Sequence, residues 1–71
     1  MEKQMVQSSN LAAVGYDSST STLEVEFLDG SVYQYFGVPN HIHEGLISAG
    51  SKGSYFNEFV KRAGYSFIRV G

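Results

Sequence analysis

From Leu11 to Phe36 the apolar positions come in short runs or at every second residue; from Pro39 to Val60 they are spaced for one face of a helix. The first period belongs to strands and the second to helices. Leu23-Glu24-Val25-Glu26-Phe27 alternates strictly, which predicts a half-buried strand. Leu11 to Asp17 is a short apolar run closed by a turn signal, and it reads as a strand before it. Ser18 to Ser21 is a loop by composition, Asp29-Gly30 a hairpin turn, and Val32 to Gly37 the returning strand. Past Pro39, the spacing of Ile42, Leu46, Ile47 and Ala49 predicts a helix, with Pro39 in its first turn and Gly50 at its end. Ser51 to Ser54 is a polar junction that offers Ser caps. Tyr55, Phe56, Phe59 and Val60 form a second helical stripe, stopped at Gly64. Ser66 to Val70 reads as a last strand. Residues 1–7 are a lead-in to one domain, residues 8–71. The fold class predicted is α+β, in the order β-β-β-α-α-β: an antiparallel three-stranded meander, two short helices on one face, and a closing C-terminal strand. The expected core is Leu23, Val25, Phe27, Tyr35, Ile42, Leu46, Phe56, Phe59, Val60 and Ile68.

The hairpin turn decides where the tyrosines go. A two-residue Asp29-Gly30 loop pairs Leu28 with Ser31 and sets Tyr33 and Tyr35 beside Glu26 and Glu24, an exposed platform. A three-residue loop with Gly30 as a left-handed bulge pairs Phe27 with Ser31. Tyr33 then faces Val25, Tyr35 faces Leu23, and Gln34 faces Glu24. A one-residue slip turns every side chain to the opposite face. The bulged form keeps polar beside polar and apolar beside apolar, apart from Val32 opposite Glu26, and is preferred. Tyr33 and Tyr35 are then mainly core, with hydroxyls reaching its rim or a buried acceptor.

Composition narrows the class. The 71 residues are 42% hydrophobic and only 17% charged, with five Tyr and five Phe, too apolar for a disordered chain. Without Cys there is no disulfide framework and no thiolate chemistry, which fits a reducing cytoplasm. No apolar run reaches the roughly 18 residues of a membrane span, and the polar start lacks a signal-peptide stretch. The net charge of −2 is unevenly placed. Residues 1–50 set Lys3 against six carboxylates, whereas residues 51–71 set Lys52, Lys61, Arg62 and Arg69 against Glu58. A basic end on an acidic body points to an anionic partner.

The ordered set Ser8-Ser9-Asn10-Leu11, Gly15-Tyr16-Asp17, Leu23 to Phe27, Gly30-Ser31, Tyr33-Gln34-Tyr35, Val38-Pro39, Ser51-Lys52-Gly53 and Tyr55-Phe56-Asn57 resembles the KTSC domain. The resemblance spans residues 6–70 and centres on a Tyr-x-Tyr at Tyr33 and Tyr35. That family takes its name from the C-terminus of lysyl-tRNA synthetase, and other members stand alone as small bacterial or phage proteins. The resemblance implies a domain with no assigned activity, for which association with a tRNA-charging enzyme suggests RNA binding.

Several groups are candidates for chemistry, each against a structural alternative. Tyr33 and Tyr35 could stack nucleobases; the alternative is packing beside Val25 and Leu23. Lys52, Lys61, Arg62 and Arg69 could contact phosphates; the alternative is an ordinary solvated surface, with Lys61 and Arg62 favoured at a helix C-terminus. Ser51-Lys52-Gly53-Ser54 could hold an anion but lacks the phosphate-loop spacing, and helix capping explains it. His41 and His43 point apart on a helix and have only Glu44 as a near third ligand, so no metal or other cofactor is expected. Glu24 and Glu26 share one strand face without a sign of a cleft, and Ser8 and Ser9 have no His–Asp partners, so an enzyme is not expected. The readings that remain are a non-catalytic RNA-binding module and a protein-interaction or homo-oligomerising module.

Overall fold

In the computed structural model, which describes every residue from Met1 to Gly71, the alternating segments form one antiparallel sheet. Its strands are β1 (Lys3–Met5), β2 (Leu11–Asp17), β3 (Thr22–Phe27), β4 (Val32–Phe36) and β5 (Ser66–Arg69), adjacent in chain order. Between β4 and β5 come α1 (Asn40–Ser48) and α2 (Lys52–Phe56), and α2 runs on into a π-helical turn over Asn57–Lys61. The α+β class stands, with two corrections. The sheet has five strands, because residues of the expected lead-in form β1. The closing strand joins the meander directly, since β5 pairs with β4 through Tyr33↔Arg69 and Tyr35↔Phe67.

The physical reason for β1 lies outside its own sequence. Lys3 pairs with Gly15 of β2. With no side chain at Gly15, the lysine arches across β2 to carboxylates on β3, with Nζ 3.2 Å from Glu24 and 2.9 Å from Glu26. A Cβ on Gly15 would stand 2.7 Å from the Glu2 carbonyl oxygen.

The β3–β4 hairpin takes the bulged register. Val25 faces Tyr33, Leu23 faces Tyr35, Glu24 faces Gln34 and Glu26 faces Val32. Gly30 has φ 91°, a conformation that L side chains rarely adopt. Its N–H donates to the Phe27 carbonyl at 3.0 Å, while Phe27 N–H donates to the Ser31 carbonyl at 2.9 Å. The Asp29 carboxylate fastens the turn by accepting from the Ser31 N–H and hydroxyl.

The helices cover one face. The core beneath them is Leu11, Val14, Leu23, Val25, Tyr35, Val38, Leu46, Phe56 and Val60. Phe27 and Ile42 are partly buried against it. Phe59 and Ile68, expected inside, are exposed at 47% and 51%. Phe59 lies away from the Phe56–Val60 side of its helix and packs on Tyr55 instead, ring centroids 4.6 Å apart. Ile68 lies opposite Gln34 on the sheet face that no helix covers. Pro39 stands just before α1 at its N-cap position, and the helix ends at Ser48 with Ala49 as C-cap, ahead of Gly50. Ser51 occupies the N-cap position of α2 without a capping bond. Its hydroxyl donates to Ser54 Oγ at 3.0 Å instead, which corrects the expected cap.

Gly15→Ala therefore acts on β1 alone. The backbone of Glu2 has to move, and overpacking of this kind costs about 1–3 kcal/mol. Amide exchange of residues 3–5 is expected to accelerate while exchange in β3 and β4 stays slow. Equal protection of β1 in both proteins would contradict this account of Gly15.

Candidate functional site

The helix-covered face is not sealed along β4 and β5. Val25 and Leu23 set Tyr33 and Tyr35 on this face, and β5 adds Phe67 next to Tyr35. From the other layer comes Phe56, the last residue of α2. Its ring meets Phe27 and Tyr35 edge-on, both at 5.5 Å between centroids. Tyr33 stands edge-on to Phe27 at 5.8 Å, and Phe67 lies 5.3 Å from Tyr35. Such edge-to-face contacts add about 0.5–1.5 kcal/mol each beyond area burial. The five rings line a cleft of about 480 Å³, with Asn10, Ser31, Asn57 and Lys61 as its polar members.

The π turn aims the last two of these. Arg62 N–H donates to the Asn57 carbonyl five residues back, at 3.0 Å. Asn57 and Lys61, four residues apart, both line the cleft. Asn10 enters from the loop before β2. Its side-chain oxygen would stand 2.5 Å from a Cβ on Gly53, so a larger residue at the start of α2 would push the Asn10 amide aside. Tyr35 is buried as a residue, yet its hydroxyl makes no hydrogen bond and is not sealed from solvent. Burial pushes its phenol pKa up, with a smaller contribution from Tyr33. The hydroxyl is a protonated, unengaged donor in the cleft.

The six residues expected to meet nucleic acid divide. Tyr33, Tyr35 and Lys61 come together at the cleft. Arg69 is the cross-strand neighbour of Tyr33, and its Nε donates to the Gly71 carbonyl at 2.7 Å. Lys52 turns back to the Ala49 carbonyl at 3.0 Å and joins α1 to α2. Arg62 is exposed beyond the π turn and does not line the cleft. Asn10, Ser31, Asn57 and Phe67 were not singled out from the sequence as site residues. A signal existed for the first three, which lie within the stretches that carry the family resemblance. Phe67 had none beyond its place in a strand.

The stretches Asn10-Leu11, Leu23 to Phe27, Gly30-Ser31, Tyr33 to Tyr35 and Tyr55 to Asn57, far apart in the chain, meet at this cleft. The family model of the KTSC domain matches residues 7–65. The chain belongs to the KTSC domain family. This KTSC domain is 39% identical over 70 residues to an uncharacterized protein of Stutzerimonas stutzeri (strain A1501), covering 99% of each chain. It is also similar to a KTSC domain protein of Yersinia pestis whose crystal structure is solved, with a TM-score of 0.91 and 36% identity, over 99% of this chain and 97% of that one. A lysine–tRNA ligase of Nostoc punctiforme (strain ATCC 29133 / PCC 73102) matches at 52% identity over 46 residues, 65% of the KTSC chain but only 8% of the ligase.

No group of three His, Cys, Asp or Glu side chains is placed to hold a metal. His43 instead stacks on Tyr16, rings 4.8 Å apart and 11° from parallel, and Tyr16 donates to the Val38 carbonyl. His41 is exposed. The hydrogen bond from the Gln34 amide, then Lys3, hold the Glu24 carboxyl below its ordinary range. Lys3 thus bridges Glu24 and Glu26 on the sheet face away from the helices. No helix is long and apolar enough to cross a membrane.

Burial lowers the pKa of His43 below its ordinary 6.5, against a smaller opposing effect of Glu44. The unfolded chain therefore binds more protons just below that pH, and folding stability drops as pH falls through the depressed value. His43→Phe keeps the stacked ring and removes the titration. Its denaturation midpoint is expected to change less than that of the parent between about pH 7 and pH 5. An unchanged slope would remove His43 as the source.

Proposed function

We propose that this KTSC domain is a non-catalytic module that holds single-stranded RNA weakly at the aromatic cleft. The observation that carries the reading is the conjunction of Tyr33, Tyr35 and Phe67 with Lys61 in one opening. An aromatic surface beside a cation is what a stacked base and its phosphate require, and it needs no fixed sequence. Phe67, 56% exposed, is the ring on which a base would stack first. Tyr33 is half-buried beside it, and Asn57 and the Tyr35 hydroxyl offer hydrogen bonds to a base edge. The similarity to part of a lysine–tRNA ligase supports an RNA-related role. The net charge of −2 keeps the affinity low, and the contact of Lys61 with a phosphate makes it sensitive to salt.

Titration of the isotope-labelled domain with a mixed-sequence single-stranded RNA is expected to shift the amides of Tyr33, Tyr35, Asn57, Lys61 and Phe67. Phe67→Ala should weaken binding by about 5- to 150-fold, the equivalent of about 1–3 kcal/mol for one stacked base. Lys61→Glu should weaken it and reduce the slope of log K against log salt by about 0.7. Lys52→Glu should leave it unchanged. An absence of shifts at low salt would end the RNA reading.

A further inference from the structure

The sheet ends on an unguarded edge. Val70 donates its N–H to the Val32 carbonyl at 2.8 Å. In an antiparallel ladder the direction alternates, so Ser66, Ile68 and Val70 turn their backbone groups toward β4. Phe67 and Arg69 turn theirs outward. All four residues of β5 are exposed. Phe67, Ile68 and the adjoining Val70 are 56%, 51% and 46% exposed. Neither a proline nor a bulge interrupts Ser66–Arg69; a bulge follows it, where Val70 and Gly71 both donate to the Val32 carbonyl, and Arg69 is the one charge on the strand. The opposite edge, β1, has only three residues and folds its lysine inward onto β3.

We propose that β5 pairs antiparallel with β5 of a second copy of this chain, about a twofold axis at Ile68, and that the partner's Arg69 joins the aromatic cleft. The inference does not depend on RNA being the ligand. In this register Phe67 lies opposite the partner's Arg69, and Arg69 opposite the partner's Phe67. All the outward-turned groups of β5 are then used, in four backbone hydrogen bonds. A twofold at Arg69 would set like charges face to face, and one at Phe67 would carry Arg69 past the end of the partner strand. Phe67 shares a sheet face with Tyr33 and Tyr35, so in the dimer the partner's guanidinium lies over the ring that a base would stack on in the single chain, a favourable cation–π arrangement that competes with such a base. It also adds a cation to the side of the cleft opposite Lys61. On the uncovered face, Ile68 meets the partner's Ile68, and Ser66 meets the partner's Val70. The two sheets become one of ten strands. A contact along one strand is at the small end of specific interfaces, so the pairing is reversible.

The chain has no cysteine, which makes the register directly measurable. Ile68 on the axis is a non-hydrogen-bonded pair, with Cα atoms about 4.5 Å apart, inside the about 4.4–6.8 Å range of disulfides. Ile68→Cys is expected to cross-link under mild oxidation at least about tenfold faster than Ser18→Cys, a thiol on an exposed loop. In sedimentation equilibrium the mass of the parent should rise from 7.8 kDa toward twice that value as concentration approaches about 1 mM. Ile68→Lys should stay at the single-chain mass with an unchanged amide spectrum elsewhere. A parent that stays at 7.8 kDa throughout overturns the proposal and leaves the edge to an extended segment of a different chain. So does a dimer that Ile68→Lys leaves intact, or an Ile68→Cys that cross-links no faster than the control.

Discussion

The Phe56 ring joins the two layers of the molecule. It enters from α2, is only 2% exposed, and meets Phe27 and Tyr35 edge-on. A small domain has few such contacts, and truncating a buried phenylalanine costs about 3–5 kcal/mol. That is a large part of the about 5–15 kcal/mol by which domains are stable at all. The same contact sets the height of α2 over the sheet. The π turn continues from α2, so Phe56 also determines where Asn57 and Lys61 stand. Core and cleft are two sides of one aromatic cluster.

This resolves an apparent competition between packing and binding. A chain of 71 residues cannot place ten aromatic side chains on a surface and still form a core. Here Tyr35 does both: its ring is buried among Leu23, Phe56 and Phe67, while its hydroxyl opens to the cleft. Tyr33 is half-buried and Phe67 mostly exposed, so burial grades outward from Phe56 to the β5 edge. The opposite face of the sheet has no layer over it and is held by charge instead. Lys3, Glu24, Glu26 and Gln34 form one hydrogen-bonded group there. Its electrostatics oppose both extremes of pH: Glu24 loses its contribution as acid protonates it below its ordinary 4.5, and Lys3, raised chiefly by Glu26, loses its own above 10.5.

The legible parts of the fold were those with a local cause. Strict alternation gave β3, and matching polar with polar across the Asp29-Gly30 turn gave the bulged register without any tertiary information. The helical stripe of α1 and the glycine stop at Gly64, with φ 88°, were legible for the same reason. The cleft was legible only in fragments. Tyr33, Tyr35 and Lys61 were visible as candidates, but Asn10, Ser31 and Asn57 have no chemical signature until the chain folds. Four basic residues clustered in the last 21 looked equivalent by charge; Lys52 proved to be tied to the Ala49 carbonyl.

What the sequence by itself determined is the class of the domain, the hairpin register and most of the core, because periodicity and turn chemistry act between near neighbours. Tertiary structure alone decided the rest. It made a strand of residues 3–5, since their pairing depends on a missing Cβ at Gly15 and on carboxylates across β2. It turned Phe59 outward, because the burial of Phe56 and Val60 fixes which side of the π turn faces the sheet. It also exposed Ile68, because alternation assigns a residue to a face but only the position of the helices says which face is covered.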